Sequence, residues 1–340
     1  MSQNYLGLRG LEFVEFGPAS PEHLHQLFIS FGFSKIMKHE SKDVDYYKQN
    51  DIHFLLNKQP GSFADKFAQE HGPSISSMGW RVVDAKAAQQ EAVKKGAKAA
   101  EGDYPFPAIY GIGENLIYFI ENFQDKDRYS KWGFKAHPNP QITPSKGFIC
   151  IDHLTNNVYP GQMKKWTKFY KEIFGFTQIR YFDIRGAQTG LTSFALKSPC
   201  GTFCIPINEG TEKKSQINEY LEEYKGEGIQ HLAFTTHDIL RSLEELKKTN
   251  IKTLDIDDEY YQEVFDRVPN VTEEHQALQK MQVLVDGDER GYLLQIFTKN
   301  IIGPIFVEII QRKNNFSFGE GNFGALFRSI ERDQQQRGYL

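Results

Sequence analysis

Apolar residues along this chain fall into short blocks separated by Gly, Pro, Asn and Asp, and the blocks recur in the same order in each half. The first half opens on Leu11-Glu12-Phe13-Val14-Glu15-Phe16, which reads as a strand, and a helical stretch follows that ends at Phe31-Gly32-Phe33. The second half opens on the strand-like Phe148-Ile149-Cys150-Ile151-Asp152-His153-Leu154. After it, Trp166, Phe169, Tyr170, Ile173 and Phe174 recur at helical spacing and Gly175 supplies the stop. Later in each half a strand runs into a helix opened by aspartate. In the first half this is Trp80-Arg81-Val82-Val83-Asp84, with a helix to Gly96. In the second it is His231-Leu232-Ala233-Phe234 through Asp238, with a helix to about Asn250. Asp84 and Asp238 have the short carboxylate that caps a helix N-terminus.

Self-similarity over this span predicts an α+β protein of two domains built from duplicated βαβββ modules. The 340 residues fit two domains of ~150 residues each. The expected boundaries are 1–137 for an N-terminal structural domain and 145–340 for a C-terminal catalytic domain. The Pro-rich His137-Pro138-Asn139-Pro140-Gln141-Ile142-Thr143-Pro144 is the expected linker. Overlaying the halves puts Phe13 opposite His153 and Ser77 opposite His231, and sets Glu121 in the strand matching that of Glu308. With Phe13 and Ser77 in place of the two histidines, the first half is expected to hold no metal.

Composition sharpens this picture in a few places. The chain is 39% hydrophobic and 14% aromatic, with 27 Phe and 16 Tyr, which excludes a disordered chain and leaves aromatic side chains to spare for an aromatic ligand. The formal charge of -4 is spread among interspersed acids and bases, so no nucleic-acid or anionic-membrane surface is expected. No apolar run approaches the ~20 residues of a membrane span, and Met1 to Leu6 lack a signal-peptide pattern. Three scattered cysteines, Cys150, Cys200 and Cys204, suggest reduced thiols and a cytoplasmic location.

The candidate chemistry lies in one glutamate and two histidines. Glu308 stands inside the apolar run Ile305-Phe306-Val307-Glu308-Ile309-Ile310, where a carboxylate without a partner costs several kcal/mol. His153 and His231 stand in matching apolar strands, 78 residues apart, with Glu308 a further 77 along. A lone histidine in such a strand is more often a satisfied core residue, and a lone glutamate can pair with a lysine or arginine. All three in equivalent strands make the ligand set of a non-haem Fe(II) oxygenase.

Further motifs surround them: Phe306-Val307-Glu308-Ile309-Ile310-Gln311-Arg312, then Phe318-Gly319-Glu320-Gly321-Asn322-Phe323-Gly324-Ala325-Leu326-Phe327, and Gly291-Tyr292-Leu293-Leu294-Gln295-Ile296-Phe297. With Pro206-Ile207-Asn208-Glu209, Lys214-Ser215-Gln216-Ile217 and Gly228-Ile229-Gln230-His231, they resemble 4-hydroxyphenylpyruvate dioxygenase, of the vicinal oxygen chelate superfamily, strongly over residues 147–338 and weakly before. The resemblance implies a two-domain vicinal oxygen chelate fold with a C-terminal helix over the active site. It implies conversion of 4-hydroxyphenylpyruvate and O2 to homogentisate and CO2 on Fe(II), within tyrosine and phenylalanine catabolism, by a homo-oligomer (dimer or tetramer).

By the same resemblance the metal ligands are His153, His231 and Glu308. The catalytic and substrate-binding polar residues are Ser193, Asn208, Gln216, Gln230 and Gln295. The aromatic clamp is Phe297 and Phe323, with Phe306, Phe318, Asn322 and Leu326 around it. Two rivals stay open at this point. A hydroxymandelate synthase shares substrate and triad, and a binding protein with a relict site predicts no oxygen uptake.

Overall fold

The computed structural model describes residues 3–340. Its first half runs β1 (Leu8–Gly17), α1 (Pro21–Ser30), β2 (Ser34–His39), β3 (Val44–Gln49), β4 (Ile52–Asn57), α2 (Phe63–His71), β5 (Ser74–Val82), α3 (Ala85–Lys94), β6 (Ala99–Ala100), β7 (Ala108–Tyr110), β8 (Leu116–Ile120), α4 (Arg128–Lys131) and β9 (Phe134–Gln141). The second half opens with β10 (Phe148–Val158), α5 (Met163–Phe169), β11 (Thr177–Arg185), β12 (Gly190–Lys197) and β13 (Cys204–Gly210). It continues through α6 (Gln216–Tyr224), β14 (Gly228–Thr236), α7 (Ile239–Leu246), α8 (Tyr260–Arg267) and α9 (His275–Lys280). It closes with β15 (Leu284–Asp288), β16 (Gly291–Phe297), β17 (Phe306–Lys313) and α10 (Phe323–Gln336).

The strands form two sheets, a nine-stranded one ordered β6-β7-β8-β5-β1-β4-β3-β2-β9 and an eight-stranded one ordered β11-β12-β13-β10-β14-β17-β16-β15. Taken in reverse, the second order matches the first strand for strand, with β9 added at one edge. The βαβββ unit thus occurs four times, twice in each sheet, with α8 and α9 inserted in the last copy. Asp84 and Asp238 cap α3 and α7, their carboxylates accepting from Ala87 N and Arg241 N at 2.8 and 3.0 Å. After α5 a single π-helical stretch, Tyr170–Phe174, ends at Gly175, whose φ of 82° a side chain would strain.

Two expectations are corrected. The Pro-rich stretch from His137 is not all linker, because β9 extends to Gln141. It pairs with β2 alone, and at a sheet edge the missing N–H of proline costs no ladder bond. Glu121 is not the counterpart of Glu308. Glu308 stands opposite Ala233 and Tyr118 stands opposite Gly79, so the register makes Tyr118 the equivalent position. Glu121 lies just beyond β8 and accepts from Ala85 N at the start of α3.

The overlay of Phe13 on His153 and Ser77 on His231 agrees with the register, in which Phe13 faces Gly79 and His153 faces Ala233. The interior of the first sheet is filled by a cluster that includes Phe13, Tyr46, Leu55, Tyr104, Tyr118 and Phe134. Within it Glu15 is fully buried and accepts from Tyr104 Oη at 2.6 Å, Asn57 Nδ2 at 2.9 Å and Ser77 Oγ. Burial pushes its pKa up to about 7 against these hydrogen bonds.

The halves meet along an aromatic seam. Phe234 on β14 packs on Phe31, Phe33 and Phe54 of the first half at ring separations of 6.0, 5.8 and 6.0 Å. Trp80 on β5 sits among Phe174, Phe176 and Phe203 of the second.

Candidate metal centre and cavity

His153, His231 and Glu308 come from three adjacent central strands, β10, β14 and β17, whose register fixes their common height. Thr155 pairs with His231, and Ala233 pairs with both His153 and Glu308. All three side chains are buried. His153 Nε2 lies 3.0 Å from Glu308 Oε2 and 3.3 Å from His231 Nε2, and His231 Nε2 lies 3.5 Å from Glu308 Oε2. A six-coordinate ion with bonds of about 2.1 Å sets neighbouring donors about 3 Å apart. The three atoms therefore already span one face of such a sphere, and the residues fit a metal.

Each imidazole has an acceptor at its other nitrogen. Nδ1 of His153 donates to Asp152 Oδ2 at 2.7 Å, and Nδ1 of His231 donates to Gln230 Oε1 at 3.2 Å. Both Nε2 lone pairs are thereby directed at the shared point. Electrostatics of the bare triad agree. Burial alone would raise the Glu308 pKa, yet the flanking imidazoles pull it down to about 2. Burial would lower His153, but Glu308 and Asp152 lift it to about 9. His231, desolvated and facing a charged His153, stays below its usual value. Because metal ligands must be deprotonated, a metal at this site would compete with protons for the same donors.

A cavity opens above the triad. Of the residues expected in the site, Ser193, Asn208, Gln216, Gln230, Gln295, Phe297, Phe306, Phe318, Phe323 and Leu326 all line it together with the three ligands. Ser193 and Asn208 are direct cross-strand partners on β12 and β13. Gln216 is the first residue of α6, behind the Ser215 cap, and reaches Gln230 at 3.4 Å. Gln295 is buried, and its Oε1 has no partner among the described residues. Phe306 stacks on His231 at 4.6 Å, and Phe318 stands edge-on to His153 at 5.6 Å. Phe297 packs against Phe306, and Phe323 against Phe182. Gly319 needs both its φ of 78° and its lack of a side chain, because a Cβ there would meet Gln295 at 2.6 Å.

Asn322 is the exception. It does not line the cavity, and its Oδ1 accepts from Tyr260 Oη at 2.6 Å. The residue precedes α10, and that turn points its amide towards α8.

Sequence reasoning missed Thr155, Phe182 and Glu219, which also line the cavity. Thr155 is the readable one, since two residues beyond His153 in a strand returns to the same face, and its Oγ lies 3.0 Å from His231 Nε2. Phe182 and Glu219 arrive from distant elements and leave no local signal.

Helix α10 roofs the cavity with Phe323, Leu326, Phe327 and Ile330. Its buried Glu331 accepts from Ala187 N, Gln188 N and Thr189 N in the β11–β12 turn, at 3.0, 3.1 and 2.9 Å. At the mouth, Lys299 pairs with Asp333 at 2.9 Å, and Arg337 pairs with Glu219.

Comparisons with known proteins agree in family. Residues 2–135 match the model described as hydroxyphenylpyruvate dioxygenase, N-terminal, and residues 150–290 match the glyoxalase/bleomycin resistance protein/dioxygenase superfamily. The chain is 58% identical to Protein MelA of Shewanella colwelliana over 342 residues, covering 99% of each chain. It is 45% identical to 4-hydroxyphenylpyruvate dioxygenase of Legionella pneumophila over 347 residues, covering 100% of this chain and 98% of that one. A variant of 4-hydroxymandelate synthase from Streptomyces coelicolor shares the fold, with a TM-score of 0.82 at 22% identity, over 96% of this chain and 99% of that one.

Proposed function

This chain belongs to the 4-hydroxyphenylpyruvate dioxygenase family, and from that premise we propose that it converts 4-hydroxyphenylpyruvate and O2 to homogentisate and CO2, with Fe(II) held by His153, His231 and Glu308. The observation that carries this reading is the convergence of three donor atoms 3.0 to 3.5 Å apart at the floor of a largely apolar cavity. Two neutral imidazoles and a carboxylate on one face leave three positions open, the donor pattern of non-haem Fe(II) oxygenases. Bound Fe(II) would supply the chelation point for the oxo acid and the activation of O2. One carboxylate ligand leaves the bound ion with a net charge of about +1, which favours an anionic substrate.

The remaining work falls to the chain itself. Phe297 and Phe323 hold the substrate ring between them, where aromatic contacts are worth ~0.5–1.5 kcal/mol beyond burial. Ser193, Asn208, Gln216 and Gln230 offer neutral hydrogen-bond partners to the phenol. A charged group there would bias the ring towards ionisation. Gln295 donates from its Nε2 to the oxo-acid end. Phe306 and Phe318 wall the histidines, and α10 with Leu326 keeps bulk water out. The first sheet, through the end of β9 at Gln141, acts as a scaffold without metal, and residues 145–340 act as the catalytic unit. The place of the reaction is tyrosine and phenylalanine catabolism in the cytoplasm.

The test is oxygen uptake by the Fe(II)-loaded protein with 4-hydroxyphenylpyruvate, with products separated by chromatography. Homogentisate is the expected product. Accumulation of 4-hydroxymandelate would assign the sister reaction, and no Fe(II)-dependent uptake would overturn the reading.

A further inference from the structure

Asp152 and His153 are neighbours in a strand, where successive side chains should point to opposite faces. They do not, because β10 carries a bulge: Ile151 pairs with Phe234 and His153 with the very next residue, Ala233, leaving Asp152 as the extra residue. The bulge turns the Asp152 carboxylate onto the back of His153, 2.7 Å from Nδ1. Arg312 then grips the same carboxylate with two bonds, Nε to Oδ1 at 2.8 Å and a terminal nitrogen to Oδ2 at 2.9 Å. The other terminal nitrogen donates to the carbonyls of Ser317 and Asn315 at 2.6 and 3.3 Å, in the loop that brings Phe318 to the cavity. Phe318 lies 5.8 Å from that guanidinium and packs on His153.

We propose that Asp152 and Arg312 are positioning residues. Asp152 fixes His153 with its Nε2 lone pair towards the metal, and Arg312 ties that ligand to the Phe318 loop, so that metal affinity and substrate binding share one guanidinium. The inference rests on the proposed reading of His153 as a metal ligand. A carboxylate behind a ligating histidine orients the ring and raises its basicity. A rigid planar fork is what bidentate binding of that carboxylate requires.

The molecule contains its own control. The first half has the same bulge, with Leu11 opposite Trp80 and Phe13 opposite Gly79, so that Glu12 is the extra residue. Glu12 is also held by arginines, Arg81 and Arg128, but the residue in front of it is Phe13. A bulge acid serving only to hold the strand would behave alike in both halves.

The experiment titrates anaerobic Fe(II) into metal-free wild type, Asp152→Asn, Arg312→Gln and Glu12→Gln, and follows the thermal midpoint of each metal-free protein. Asn at 152 keeps the shape but must turn its NH2 towards a donor on one side. Asp152→Asn is expected to weaken Fe(II) binding ~10- to 100-fold. Arg312→Gln should weaken it several-fold and also raise KM more than it lowers kcat. Glu12→Gln should lower the thermal midpoint and leave Fe(II) affinity within about twofold. Equal Fe(II) affinity in wild type and Asp152→Asn would overturn the proposal, as would equal losses in Asp152→Asn and Glu12→Gln. If Asp152→Asn does not fold, Arg312→Gln decides alone, and unchanged affinity there overturns it. Failure of the wild type itself to bind Fe(II) would instead sink the functional reading beneath it.

Discussion

At the scale of single residues, the site separates the three converging donors from the groups that hold those donors in place. Glu308→Ala removes the only carboxylate among the three donors and leaves two imidazoles. The expected loss of metal affinity and turnover exceeds the ~100-fold upper end typical of outer partners. Iron content after desalting checks this, and a full complement of iron with normal turnover would refute it. Glu15 gives a second prediction, in the first half. Its carboxyl is protonated in the folded state up to about pH 7, but only to the ordinary value of 4.5 when unfolded. Between those values the folded protein binds the extra proton, so the Glu15 contribution to stability is full below pH 4.5, falls as pH rises to about 7 and is flat above. The total is on the order of 3 kcal/mol at 1.36 kcal/mol per pH unit. Glu15→Gln should erase that slope and be the more stable protein at pH 8, as read by denaturant midpoints at pH 5 and 8. The buried triad of His153, His231 and Glu308 was legible in the sequence because an ionisable group in an apolar strand is costly to bury unless it binds an ion or a partner. Asp152 and Arg312 were not, because a bulge inverts the facing of one residue and the partners are 160 positions apart. Asn322 was misplaced because one position along a turn changes which side of the helix start an amide faces.

At the scale of elements, α10 carries the two most testable consequences. Phe323 is its first residue and packs edge-to-face on Phe182, which also lines the cavity, at 5.2 Å. Phe323→Ala should keep its iron but raise KM, because the ring loses one of its two faces. Steady-state kinetics beside an iron assay would show it, and unchanged kinetics would count against the clamp. Glu331 is the anchor, taking three backbone N–H groups of the β11–β12 turn in a buried position. Glu331→Ala strands those donors at ~1–3 kcal/mol each if they stay buried. Faster proteolysis within α10, with metal content unchanged, is the expected result. The helices and the long central strands were readable, since their periodicity and caps are local. The fourfold repetition of the βαβββ unit was not, because β6 and β7 have only two and three residues and show no alternation. The proline-bearing β9 read as linker because its pairing with β2 is a long-range fact.

At the scale of the whole molecule, the first half supports β14 from behind. Phe234 lies three residues beyond His231 on β14 and is buried among rings from the first half. Phe234→Ala should cost ~3–5 kcal/mol, as for large aromatic truncations in cores, and should also weaken metal binding by loosening that strand. Calorimetry and metal titration on one preparation check both, and a destabilised protein with wild-type metal affinity would separate the seam from the site. None of this contact pattern was visible in sequence, where Phe31, Phe33 and Phe54 look like ordinary core residues of their own half. The seam also bears on how such a chain can change over generations. Residues 145–340 expressed alone would show water the rings of Phe148, Phe234 and Phe174, a sticky strip that invites clumping. Deleting the first half would therefore leave the half with the triad without the mould it is cast against.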